Sequence, residues 1–197
     1  DHKKHALLAI AAGKHVLVEK PLTLSASDAR EVLAAGKAQG VLVMEAMWTR
    51  YLPQSTIIRA LQAEGSLGQP ELFSAQFCTD NRASDRLWAP GGGGVAFDQG
   101  IYTVAMAQQF LGNPSAIHAT GSVHPGGADQ EAIVTMTYDS GARASLLMSG
   151  IATLAQHANC SFENAQLSLD VPFFVPSGLE LQTKDFYPTG EHWLDTT

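Results

Sequence analysis

The sequence predicts an α/β layer followed by a larger α+β region, and three observations carry that prediction. Residues 2–47 alternate helix-patterned segments with short unbroken apolar runs, the grammar of a doubly wound parallel sheet. After Gly65 the grammar changes to alternating strands, and from Ser115 onward nearly every segment reads as strand. Strands crowded late in a chain, with helices before them, imply a mostly antiparallel open sheet with helices on one face. The border falls near Ala46–Tyr51, giving a first region of 1–47 and a second of 48–197.

Each element has its own signal. Ala6, Leu7, Ala9, Ile10 and Ala11 give residues 2–12 a helical pattern, and Gly13 offers a left-handed stop. Val16-Leu17-Val18 is a short β-branched run suited to a buried strand. Ser25 and Asp28 form a capping box that opens a helix through Gln39, and Gly40 ends it. Val41–Met44 is a second buried strand. Pro53 suits the first turn of a helix running to Glu64. Glu71–Cys78 alternates as a strand. A glycine run, Gly91 to Gly94, leads into a helix from Ala96 to Leu111. The remaining strands are 116–124, 130–138, 142–149, 158–162, 166–171 and 179–184. Their turns carry Pro125-Gly126-Gly127 and Asp139-Ser140-Gly141.

Composition excludes several functions. The net charge of -7 is dispersed, and no basic stripe exists, so nucleic acid is not an expected partner. No apolar run reaches the ~20 residues a membrane helix needs, and no secretory leader opens the sequence. Cys78 and Cys160 are far apart and read as two reduced thiols, which suits a cytoplasmic protein. No metal centre is expected. His2 and His5 lack a third ligand and read as solvated helix positions, while His15 reads as a packing or hydrogen-bonded residue.

Two clusters carry the chemistry. Glu19-Lys20-Pro21 follows the first strand, at the carboxyl end where open α/β sheets place ligands. Pro21 holds Lys20 extended, and a lysine fixed beside a ligand can serve proton transfer. The alternative is an ordinary charged pair at a strand end. In the second cluster, Asp98 and Tyr102 are four apart and share a helix face. A tyrosine hydroxyl there can exchange a proton with a substrate hydroxyl. The alternative packs Tyr102 in the core and leaves Asp98 at the helix N-terminus. Trp48 and Arg50 line either a cofactor cleft or a domain interface. Asn81, Arg82 and Arg86 form a polar loop that can reach a hydroxylated substrate, and Trp88 can wall the same pocket.

These motifs, in this order, resemble the glucose-fructose oxidoreductase / inositol dehydrogenase (Gfo/Idh/MocA) family. The resemblance runs through His5–Leu22, Met44–Pro53, Gly92–Tyr102 and Pro172-Phe173-Phe174-Val175-Pro176. Met44–Pro53 and the tyrosine at 102 are similar to the branch of dimeric dihydrodiol dehydrogenases and NADP-linked xylose dehydrogenases. The resemblance implies a remnant of a Rossmann-like sheet before the open sheet, and an NADP- or NAD-dependent dehydrogenase acting on a sugar or cyclic diol. By the same resemblance Lys20 and Tyr102 are the catalytic pair and Asp98 lies in the substrate pocket with Arg86 and Trp88. Tyr102 would accept the hydroxyl proton, with Lys20 easing its release and binding the hydroxyl. Glu19, Lys20, Pro21, Trp48 and Arg50 would flank the cofactor, and the open sheet would form a homodimer.

The family's Gly-rich pyrophosphate loop is absent from the sequence, and the glycines at 91–94 precede the other helix. The chain therefore reads as a fragment beginning inside the nucleotide domain, for which weak nucleotide binding is expected. Two other readings compete: a non-catalytic fragment whose open sheet serves dimerisation or ligand binding, and a reductase of acyclic or biliverdin-like substrates, which Met44–Pro53 disfavours.

Overall fold

The computed structural model describes residues 1–89, 91 and 93–183. Helix α1 (His2–Ala11), strand β1 (Val16–Val18), helix α2 (Ala26–Gln39) and strand β2 (Val43–Glu45) form the first unit. β1 and β2 pair in parallel, Val16 opposite Val43. Both helices end in Schellman turns. Gly13 (φ 70°) and Gly40 (φ 65°) take the left-handed position. The next amides, Lys14 and Val41, reach back to the Ala9 and Gly36 carbonyls.

That second cap corrects the predicted strand at Val41–Met44. The Val41 amide is committed to closing α2, so ladder pairing starts only at Val43. Gly36 completes the fit, because a Cβ there would lie 2.3 Å from the Val43 side chain. His15 is hydrogen-bonded, as expected: its Nδ1 accepts from the Leu42 amide at 2.8 Å. Ser25 caps α2 by accepting from the Asp28 amide. Lys3 on α1 ties the two helices, lying 2.7 Å from both Asp28 and Glu31. A small core of Ala6, Ile10, Val18 and Val32 fills the space between helices and strands.

A 3-10 turn, Trp48–Tyr51, leads to helix α3 (Pro53–Glu64), with Pro53 at its first position as predicted. The second unit is one seven-stranded sheet. Its strands are β3 (Pro70–Cys78), β4 (Ala116–Val123), β5 (Asp129–Thr137), β6 (Arg143–Ser149), β7 (Ala158–Phe162), β8 (Ala165–Leu169) and β9 (Leu179–Thr183). The spatial order is β4-β5-β6-β3-β7-β8-β9. Only β3 and β6 run parallel; every other neighbouring pair is antiparallel, so the predicted mostly antiparallel sheet is present. Residue 184 of the last predicted strand and Gly92 of the glycine run lie outside the described residues.

Helix α5 (Ile101–Leu111) packs across β3 and β6 at the middle of the sheet. Beneath it Phe73, Leu146, Cys160, Phe162 and Leu167 are fully buried, each from alternate positions of its strand. The opposite face is uncovered and carries Leu72, Ser74, Ile133 and Ser145. Cys78 and Cys160 are free and buried. No helix among the described residues is long and apolar enough to cross a membrane.

Two elements differ from expectation. The predicted helix at 96–111 opens with a π turn, Ala96–Gly100, before becoming α-helical. A four-residue helix, α4 (Asp85–Trp88), was not anticipated in the polar loop.

Candidate active site

The site forms where the loop after β1 meets the π turn. Lys20 leaves the end of β1, and the Lys20–Pro21 bond is cis. Its ammonium donates to the Asp98 backbone carbonyl at 2.8 Å and to Asp98 Oδ1 at 3.1 Å. It also lies over the Tyr102 ring, 5.2 Å from the centroid. Three residues from two distant segments are thus brought together. Two of the three ammonium protons are engaged by Asp98, and among the described residues no hydrogen bond takes the third, which can meet a ligand oxygen. Both partners are largely shielded, with side-chain exposures of 17% for Lys20 and 27% for Asp98.

The π turn is what sets Asp98 beside Tyr102. Such wide single turns within α-helices concentrate at functional sites. Its start is capped by Asp129 on β5, whose Oδ2 accepts from the Ala96 amide at 2.7 Å. Gly94 (φ 67°) precedes it, and a Cβ there would lie 2.1 Å from Asp129 Oδ1. Gly100 closes the turn against the sheet, where a Cβ would meet Met148 sulfur at 2.3 Å. Gln99, 2% exposed, sits in the same turn, and its Oε1 has no hydrogen-bond partner among the described residues.

Tyr102 is 8% exposed but not isolated in apolar packing. Trp48 Nε1 donates to its hydroxyl at 3.1 Å. An indole N–H only donates, so the tyrosine oxygen accepts here and keeps its own proton for another partner. Phe77 and Phe174 complete an aromatic cluster around the ring, with centroids 5.7 and 5.4 Å away, and stack on each other at 4.5 Å.

Beside Lys20 opens a cavity of about 520 Å³, within the usual size range of small-molecule sites. Lys20, Pro21, Arg86 and Asp98 line it, as do His2, Lys4, Leu24 and Phe97. Arg86 Nη2 lies 3.3 Å from Asp98 Oδ1. His2 had been read as a solvated helix position. Instead its Nδ1 donates to the Pro21 carbonyl at 2.7 Å, because a carbonyl can only accept, and it holds the loop bearing Lys20.

Other predicted residues stand elsewhere. Glu19 Oε2 accepts from the Lys20 amide, outside the cavity lining. Arg50 reaches Gln108 at 2.7 Å. Arg82 turns to Asp80 and the Ile151 carbonyl. Trp88, expected as a pocket wall, is instead 8% exposed, stacks on His124 and donates to the Asn81 carbonyl. A buried indole needs both apolar cover and an acceptor, and that position supplies both. Asp129 and Phe77 escaped the sequence reading, and neither His2 nor Phe174 was given a role at the site, since each acts through a partner distant in the chain.

Among the described residues no group of three metal-ligating side chains occurs. Burial pushes the Cys160 thiol up to about 12 and also raises Cys78, so neither suits a nucleophile.

Comparison with known proteins fits this geometry. Residues 1–47 match the model of the oxidoreductase family with an NAD-binding Rossmann fold, and residues 56–166 match the GFO/IDH/MocA C-terminal domain. A trans-1,2-dihydrobenzene-1,2-diol dehydrogenase of Bos taurus is 34% identical over 198 residues, covering 98% of this chain and 56% of that protein. Its counterpart in Mus musculus is 37% identical over 155 residues, covering 76% of this chain and 46% of that protein. An NAD-binding oxidoreductase from Klebsiella pneumoniae has a similar structure, with TM-score 0.81, 25% identity and coverage of 97% and 55%. An aldose-aldose oxidoreductase from Caulobacter crescentus shares the fold at TM-score 0.82 and 22% identity, with coverage of 93% and 57%. The chain thus spans about half the length of the curated relatives it matches. It belongs to the GFO/IDH/MocA oxidoreductase family.

Proposed function

We propose that this chain carries the substrate side of a nicotinamide-dependent dehydrogenase acting on a cyclic diol or sugar. The observation that carries the reading is Lys20, clamped by Asp98 and poised over Tyr102. A nicotinamide dinucleotide, NADP or NAD, supplies the hydride acceptor when bound. The cavity has room for a ring and a sugar-sized partner, with Pro21, Leu24 and Phe97 as its apolar wall.

The residues divide the remaining work. As the phenolate, Tyr102 takes the proton from the substrate hydroxyl during oxidation, and as the neutral phenol it returns that proton during reduction. Lys20 holds the hydroxyl oxygen with its third N–H and keeps a positive charge over the Tyr102 ring, into which the phenolate's negative charge spreads. Trp48 keeps a donor on that same oxygen throughout. Asp98 fixes the lysine, and the Trp48–Phe77–Phe174 cluster holds the Tyr102 ring in place.

The test is Tyr102→Phe in the complete protein. Oxidation of trans-dihydrobenzenediol or D-xylose, followed as NADPH absorbance, should fall about 10²- to 10⁴-fold. Cofactor affinity, read by fluorescence titration, should hold. Near-normal turnover would remove Tyr102 from the mechanism.

The uncovered sheet face is assigned to a second copy of the chain in a cytoplasmic homodimer. It combines apolar Leu72 (51% exposed) and Ile133 (53%) with short hydroxylated side chains. Ile133→Arg should yield a monomer in sedimentation velocity; an unchanged dimer would place the contact elsewhere.

A further inference from the structure

We infer that the cavity beside Lys20 selects a substrate bearing an anionic group, a carboxylate or a phosphate, and that Arg86 reads it. This rests on the dehydrogenase reading and names the substrate class of the same site.

Arg86 is presented to the cavity by its neighbours. It sits on α4, where the next two residues, Leu87 and Trp88, are 1% and 8% exposed. The Trp88 indole is pinned by the Asn81 carbonyl at 2.9 Å and by the His124 ring. With those side chains committed inward, Arg86 is left lining the cavity, its side chain 71% exposed.

Its one ion pair among the described residues is shared. Arg86 Nη2 lies 3.3 Å from Asp98 Oδ1, the same oxygen that Lys20 approaches at 3.1 Å. Lys20 also takes the Asp98 carbonyl, so the lysine is the better satisfied of the two cations. One carboxylate therefore serves two positive charges. Around the whole cavity the four basic side chains, Lys3, Lys4, Lys20 and Arg86, are matched in number by Asp1, Asp28, Asp98 and the Glu31 that pairs with Lys3, so the surplus is local to Asp98. Lys3 is further occupied by Glu31, whereas Lys4 makes no ion pair among the described residues.

The local excess at Asp98, two cations to one carboxylate, has a matching shape. A guanidinium carries five N–H donors in a planar fork, and among the described residues one of them is engaged. The remaining edge suits the paired oxygens of a carboxylate or phosphate. A neutral diol leaves that edge to water. A substrate with an acidic substituent replaces the water and balances the charge around Asp98, while its hydroxyl reaches Lys20.

The test compares D-glucose, D-glucuronate and D-glucose 6-phosphate as ligands of the complete protein with NADP+ present, by isothermal titration calorimetry. At least one anionic sugar should bind about tenfold or more tightly than glucose, the factor expected of one charge-assisted hydrogen-bonded pair. The two anions separate carboxylate from phosphate recognition. Arg86→Gln should reduce the anion-to-glucose ratio about fivefold or more, and Arg86→Lys should restore part of it. Thermal melting verifies that both variants are folded. If neither anion outbinds glucose, or if the ratio survives Arg86→Gln, the inference is overturned. The titration reads binding rather than turnover. Absence of hydride transfer in the unaltered complete protein would strike the dehydrogenase reading and leave this comparison to stand or fall by itself.

Discussion

The two sheets of this molecule are built to different standards of self-sufficiency. The seven-stranded sheet has a helix laid across it and rows of fully buried Phe, Leu and Met beneath that helix. The unit built on the parallel pair β1–β2 has two three-residue strands and a core of four buried apolar residues. Its helices cover one face only. On the strand segments Leu17 and Leu42 remain 67% and 62% exposed. Yet the catalytic candidate Lys20 comes from the weaker unit, while Asp98 and Tyr102 come from the stronger one. The lesson is one of division. The large sheet supplies a fixed wall, and the small unit delivers a single charged side chain to it.

The sharpest way to break that contrast is to open the large core. Phe162→Ala, at 0% exposure, should cost about 3–5 kcal/mol in urea unfolding. A loss under 1 kcal/mol would mean that the core is less continuous than its burial implies.

Alkaline pH should separate the units next. Burial raises the Cys160 thiol from 9.0 to about 12, and burial raises Tyr138 and Cys78 in the same direction. A group that binds its proton more tightly when folded stabilises fully below its unfolded value. That stability drains away as pH rises toward the folded one. Between pH 9 and 12 Cys160 alone should remove at most about 1.4 kcal/mol per pH unit. Cys160→Ala should flatten that slope in unfolding measured across the interval. An equal slope in both proteins would contradict the assignment. In the small unit the titrating pair Lys3 and Asp28 is exposed. Their hydrogen bond raises the lysine and lowers the aspartate, so it strengthens the unit at neutral pH and fades at both extremes. Exposure keeps its contribution small.

The smallest effect belongs to the bare face of the parallel pair. Leu17→Lys should change stability by less than about 0.5 kcal/mol, since the side chain already faces solvent. A drop of several kcal/mol in the complete protein, set beside a neutral effect in residues 1–197, would show that further chain covers this face there.

Much of this was written in local pattern. Glycine at 13 and 40 ends helices by the left-handed conformation that only glycine adopts cheaply, so those ends were legible. So were α3 from Pro53 and the alternating strands, because periodicity is a local property. Lys20 stood out by its place after a strand, and Asp98 with Tyr102 by their spacing. The parallel pairing of β3 with β6 was not legible, since nothing in either strand names its neighbour. Nor was the π turn, which depends on Asp129 reaching Ala96 across 33 residues. Trp88 misled for a related reason: an indole beside a polar loop looks like a ligand wall until the His124 ring beneath it is known.

Asp98 holds Lys20 in two ways at once, through its carboxylate and through its main-chain oxygen. The second attachment cannot be mutated away. A side-chain change such as Asp98→Asn therefore alters the electrostatic partner of the lysine while its backbone tether persists. Kinetics of that variant would report charge with position held nearly constant, a separation that active-site substitutions seldom permit.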